Sequence, residues 1–134
     1  MKAENIKILA RELGLSPGEI VDGLSVGGYL DLEGTQITEL PDNLSVGGSL
    51  DLNPDKFSSQ ISYKKNCGYS NRTIFAVFLN GEFKIKAGCF FDSFDKFIDA
   101  VNRKYSGSGA ESYIADAQWC VDDLTKKIAR ESAA

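Results

Sequence analysis

Residues 19–38 read EIVDGLSVGGYLDLEGTQIT and residues 39–58 read ELPDNLSVGGSLDLNPDKFS, and ten of the 20 positions are identical. The shared frame L-S-V-G-G-x-L-D-L sets Leu24, Val26, Leu30 and Leu32 one period ahead of Leu44, Val46, Leu50 and Leu52, while Ile37 is answered by Phe57 and Ile20 by Leu40. A unit with L-x-L after paired glycines is a short strand, a turn and an extended return, and it cannot bury its apolar side alone. Two stacked units predict Leu30 over Leu50 and Leu32 over Leu52. The glycine pairs are expected to let the chain enter each strand through conformations closed to residues with a Cβ. In an L-D-L strand the middle side chain points away from the leucines. Asp31 and Asp51 are therefore expected on the solvent face with Tyr29 and Ser49 beside them and Glu33 next along, and the same offset sets Asp22 over Asp42.

The flanking segments supply what the repeat lacks. Residues 1–18 predict a helical cap, with Ile6, Leu9, Ala10 and Leu13 on one face and Gly14 as its terminator. Residues 59–72, SQISYKKNCGYSNR, are polar and rich in turn formers, and read as a loop. Asn80-Gly81 between TIFAVFL and EFKIKAGC is a strong hairpin signal. One face of that hairpin, with Ile74, Ala76 and Phe78, is expected in the core; Phe75, Val77 and Leu79 on the other are either covered or an exposed partner-binding patch. Two amphipathic helices follow, the first capped by Ser93 or Asp92 and the second opened by Ser108 and Glu111. Trp119 is expected at a seam between the parts. The expected fold is α+β: a helical cap (1–18), a two-coil leucine-rich-repeat solenoid (19–58), a loop (59–72) and a ββαα unit (73–134) that shares the solenoid's core.

The stretch LEGTQITELPDNLSVGGSLDL resembles the short repeats with L-P-x-x-L segments of bacterial and phage leucine-rich-repeat proteins. Its L-P-D-N-L-S-V-G-G form is similar to arrays in small phage or prophage proteins. The likeness runs from Ile20 to Phe57 and departs from the pattern in having two coils where about three or more normally make a free-standing array. It implies a protein-binding role, in its most concrete form an anti-CRISPR-like inhibitor acting in the host bacterial cytoplasm. Bacterial relatives of such repeats can carry a cysteine ubiquitin-ligase domain, for which this chain lacks the length.

Composition narrows the chemistry. The 134 residues are 43% hydrophobic and 25% charged, within globular averages. No apolar run approaches the roughly 20 residues of a membrane span, and MKAENIKILARELG is too charged for a signal peptide, so a cytoplasmic protein is expected. There is no histidine, which removes Ser-His-Asp and Cys-His nucleophiles and the usual zinc sites. Cys67, Cys89 and Cys120 form no CxxC pair, and Cys67, in KKNCGYSNR, is expected to be the exposed, reactive one. No phosphate loop or calcium pattern is present, so no cofactor or metal is expected. Lys64, Lys65 and Arg72 beside Tyr63 and Tyr69 make a short basic cluster that reads as a solvated loop.

Charge is divided unevenly. Residues 1–58 hold 4 basic and 10 acidic residues, net −6, while residues 59–134 hold 11 and 9, net +2. An acidic repeat disfavours direct nucleic-acid binding and favours a protein or nucleoprotein with a basic surface. The expected function is a non-enzymatic inhibitor, monomer or homodimer, that occludes such a surface of a bacterial defence complex. Two alternatives stand beside it: a self-assembling structural or adaptor protein, and an enzyme using Cys67 or acidic residues where the two parts join.

Overall fold

The 20-residue period becomes backbone pairing. In the computed structural model, which describes residues 2–20, 24–42, 44–68 and 71–133, four two-residue strands lie in the repeat: β1 (Ser25–Val26), β2 (Leu30–Asp31), β3 (Ser45–Val46) and β4 (Leu50–Asp51). They form two parallel pairs, β1 with β3 and β2 with β4, in the register Val26↔Val46, Leu30↔Leu50 and Asp31↔Asp51. Between the pairs the Gly48 N–H donates to the Gly28 carbonyl at 2.9 Å, and on either side Gly47 donates to Val26 at 2.7 Å and Leu30 to Ser49 at 2.8 Å.

This corrects the expected solenoid. A bend at each glycine pair stops the strand after two residues, giving two separate pairings, and among the described residues the helical turns at the ends of the repeat are single 3-10 turns, Pro17–Glu19 and Pro54–Lys56. The described residues of 19–58 form two stacked segments with short parallel pairings, and no solenoid of leucine-rich-repeat coils.

The glycines also have a different reason from the one expected. None of the four has a left-handed φ. A Cβ on Gly47 would lie 2.6 Å from the Gly27 carbonyl oxygen and one on Gly48 2.7 Å from that of Gly28, whereas a Cβ on Gly27 or Gly28 would meet nothing within 4 Å. The second pair is glycine because the first passes so close to it.

The chain divides into two compact units, residues 1–58 with 79–81 and residues 59–78 with 82–134. In the first, Leu30, Leu32, Ile37, Leu44, Leu50 and Leu52 are buried. Helix α1 (Ala3–Leu13) adds Leu9 and Ala10 and ends at Gly14 in the left-handed conformation. Asn5, on the same helix, is 2% exposed: its side-chain carbonyl accepts the Thr38 N–H at 2.9 Å and its amide donates to Thr38 Oγ1 at 3.2 Å. A buried amide that meets a backbone group in this way stands in for a missing strand and ties the cap to the first segment.

The second unit carries β5 (Ile61–Cys67), β6 (Arg72–Leu79), β7 (Glu82–Ala87) and β8 (Phe90–Ser93) in one antiparallel sheet of that order, followed by α2 (Phe94–Lys104) and α3 (Gly107–Ala133). The segment expected to be a loop therefore contains a strand, and the ββαα unit has four strands. Asn80 and Gly81, at φ 50° and 82°, make the hairpin turn with both central residues left-handed. Ala87 faces Phe90 across a second two-residue turn, Gly88-Cys89. Ser93 caps α2, its Oγ accepting the Lys96 N–H at 3.3 Å. Helix α3 begins at Gly107, so Ser108 lies inside it and is not its cap.

The sheet face with Ile74, Ala76, Ile85 and Ala87 meets Phe97 of α2 and Tyr113, Ala117 and Leu124 of α3 in one core. Along β5, the buried Ser62 hydroxyl donates to Asp123 at 2.8 Å, and Lys127 reaches the Ile61 carbonyl at 3.0 Å. The Ser62 hydrogen bond, helped by Lys127, holds the Asp123 carboxyl below its ordinary pKa. Among the described residues no helix is long and apolar enough to cross a membrane.

Candidate functional site

The repeat places one acidic residue on each segment at the same height. Because Leu30 and Leu50 turn into the core, Asp31 and Asp51 turn outward, aligned as register partners in the parallel pair. Tyr29 is 57% exposed, and its hydroxyl donates to the Asp51 carboxylate, bridging from the first segment to the second. The Asp31 carboxylate accepts the Glu33 N–H at 3.0 Å, which fixes the turn that carries Glu33 outward. Two further side-chain links cross the period: Asn53 accepts the Gly34 N–H at 2.8 Å, and Lys56 donates to Gln36 at 3.2 Å. Among the described residues neither Asp31 nor Glu33 forms an ion pair with Lys or Arg.

Tyr29, Asp31, Glu33 and Asp51 therefore share a face, with Ser49 half-buried beside them. Asp42 is exposed, and Asp22 lies outside the described residues. Glu33 also borders a cleft of about 510 Å³ against α1, which Glu4, Lys7, Arg11 and Glu12 of that helix line together. That cleft is mixed in charge, so the acidic character belongs to the strand face.

Of the two readings of the second hairpin face, cover is the one that fits: Phe75, Val77 and Leu79 are 4%, 0% and 4% exposed. The exposed apolar residue of that strand is Phe78, at 42%, packed edge-on to Phe83 with ring centroids 4.9 Å apart. Trp119 is 48% exposed, with the Lys64 ammonium 5.8 Å from its ring centroid. Lys64 in turn pairs with Asp116 at 2.8 Å, which ties part of the basic cluster to α3.

The reactive thiol is also elsewhere. Cys67 is buried, its Sγ donating to the Lys64 carbonyl at 3.4 Å, and burial, with Asp116 adding to it, pushes the thiol up to about 11. Cys120 is buried and pushed up to about 12 for the same first reason. Only Cys89, on the turn after β7, is exposed. At pH 8 iodoacetamide is expected to modify one thiol per folded chain, Cys89, and all three after denaturation, counted by intact mass. Both buried thiols have folded pKa values above an unfolded thiol's ordinary range, so the unfolded chain ionises first. Stability is expected to hold below about pH 8.5 and to fall as the pH rises toward 11.

Comparison with protein-family models, with curated proteins and with solved structures finds no match.

Proposed function

We propose that the chain is a non-enzymatic binding module that sets the face of Tyr29, Asp31, Glu33, Ser49 and Asp51 against a basic protein or nucleoprotein surface. The observation that carries this reading is the register pairing of Asp31 with Asp51. Adjacent strands lie roughly 4.8 Å apart, close enough for two outward carboxylates to repel. A lysine or arginine from a partner relieves that repulsion through a charge-assisted hydrogen bond to the pair. Tyr29 adds an exposed ring at the same place, a residue type that supplies contact area at small entropic cost.

The concrete occupant is the nucleic-acid groove of a bacterial defence complex of the CRISPR-Cas kind, in keeping with the resemblance of the repeat to phage arrays. An acidic surface competes there with phosphate for the same cations. The burial of Phe75, Val77 and Leu79 counts against the patch form of the self-assembly alternative, and the burial of Cys67 against the thiol form of the enzyme alternative.

The test is capture of such a complex by the immobilised protein. Wild type is expected to retain it at low salt and release it as ionic strength rises. Asp31→Lys with Asp51→Lys is expected to lower retention at least about tenfold, since each reversal replaces an attraction by a repulsion. Equal retention by the double variant would remove the acidic face from the account.

A further inference from the structure

We propose that the second unit holds a binding site for a small aromatic carboxylate, in the cavity between the β7–β8 turn and the start of α3. The cavity measures about 340 Å³, at the small end of the range for ligand pockets and suited to a single-ring acid more than to a dinucleotide. Its walls are aromatic. Phe97 meets Phe90 and Tyr113 edge-on, with centroids 5.6 and 5.2 Å apart, and Tyr105 meets Tyr113 at 6.2 Å. An aromatic ring entering such a wall finds further edge-to-face partners at the spacing these rings already keep.

Two cations border this apolar volume, Arg72 from β6 and Lys104 from the last turn of α2, and among the described residues no acidic side chain lines it. The Arg72 guanidinium is held in place. It is hydrogen-bonded to Tyr113 and lies against the bare backbone of Gly88, where a Cβ would sit 2.4 Å from Nη1. A planar guanidinium fixed at the rim of an apolar cavity matches a carboxylate in two-point geometry. Lys104 is exposed, its ammonium 5.5 Å from the Tyr105 ring centroid, and is free to swing onto the same head group. A buried apolar body with a cationic rim and no carboxylate selects for one negative charge on an apolar ligand.

Cys89 lines the cavity and is the exposed thiol, which makes it a built-in reporter. The experiment follows the alkylation rate of Cys89 in the full chain with phenylacetate, 4-hydroxyphenylacetate or indole-3-acetate as probes. At least one acid is expected to slow alkylation saturably, with half-protection below about 1 mM, and its neutral amide is expected to need at least about tenfold more. Lys104→Gln is expected to raise the half-protection concentration about fivefold or more, each protein being read against its own rate without probe. Ala100→Leu, which fills the cavity from α2, is expected to abolish protection. The proposal is overturned if none of the three acids protects saturably, if the amide protects as well as the acid, or if both variants protect like wild type. This site shares no residue with the acidic repeat face, so either reading stands if the other falls.

Discussion

Gly47→Ala combined with Gly48→Ala is expected to destabilise the repeat unit strongly, while Gly27→Ala combined with Gly28→Ala leaves it near wild type. The four positions are equivalent in sequence and lie outside the left-handed region, so propensity alone predicts the same effect at both pairs. Contact distance separates them. A new Cβ at Gly47 or Gly48 meets a carbonyl oxygen of the first segment at 2.6 or 2.7 Å, and this neighbour is backbone, which has no rotamer to change. Relief requires the segments to separate, and with them the bonds from Gly47, Gly48 and Leu30 across the repeat. Overpacking of this kind costs about 1–3 kcal/mol at each site, so the pair removes a large part of a typical domain stability of roughly 5–15 kcal/mol. At Gly27 and Gly28 the added methyls meet open space, and the change is expected within about 1 kcal/mol of wild type, with a small gain from the stiffer unfolded chain. Urea melts followed by circular dichroism measure both pairs. Equal sensitivity would mean that the close approach is not what requires glycine.

Phe97→Ala is expected to cost about 3–5 kcal/mol. The ring is 2% exposed, lies at the centre of the second unit's core and has an aromatic neighbour on each side. Each edge-to-face pair contributes roughly 0.5–1.5 kcal/mol beyond area burial, so Phe97→Leu is also expected to destabilise, by about half as much. For a chain of this length the alanine variant should lower the melting temperature by roughly 10 °C or more. A loss of under about 1 kcal/mol would show that the helices do not close on the sheet through this residue.

How much of this was legible in the sequence depended on which physical signal each residue carried. The register of Leu30 with Leu50 and of Asp31 with Asp51 could be read from the repeat, since identical segments stack most simply in register. The length of the strands could not, because the paired glycines that mark the repeat also interrupt it. β5 was hidden by its own polarity. ISYKKNC is an edge strand whose lysines face water while Ser62 and Cys67 are buried, and the hydroxyl of Ser62 finds its acceptor, Asp123, 61 residues away. Such a partner is invisible to local pattern.

β6 carries its signal in its composition. TIFAVFL is a nearly continuous apolar run, as expected of a strand covered on both faces. Residues 74–77 are all buried, flanked in the sheet by β5 and β7. The second hairpin also had a local mark: glycine at the first central position of a two-residue turn, Gly88 at φ 59°, is a recognised hairpin pattern. This turn brings β8 back along β7 and sets Cys89 beside Arg72 in one cavity lining. Cys67 misled for a different reason. Its neighbours in sequence are polar, but a register shift between Lys64 and Cys67, with Asn66 at φ 60°, turns the thiol inward.

The central claim is that the two stacked aspartates and the tyrosine beside them form one cation-binding face. Titration of the isotopically labelled protein with a lysine-rich peptide, followed by amide shifts, tests it most directly. Shifts are expected together at Tyr29, Asp31, Glu33, Ser49 and Asp51, to fade as salt is raised, and to be absent from the exposed acids of α2, Asp95 and Asp99. Shifts that fall on α2 as strongly as on the repeat, or none at the repeat at all, would contradict it.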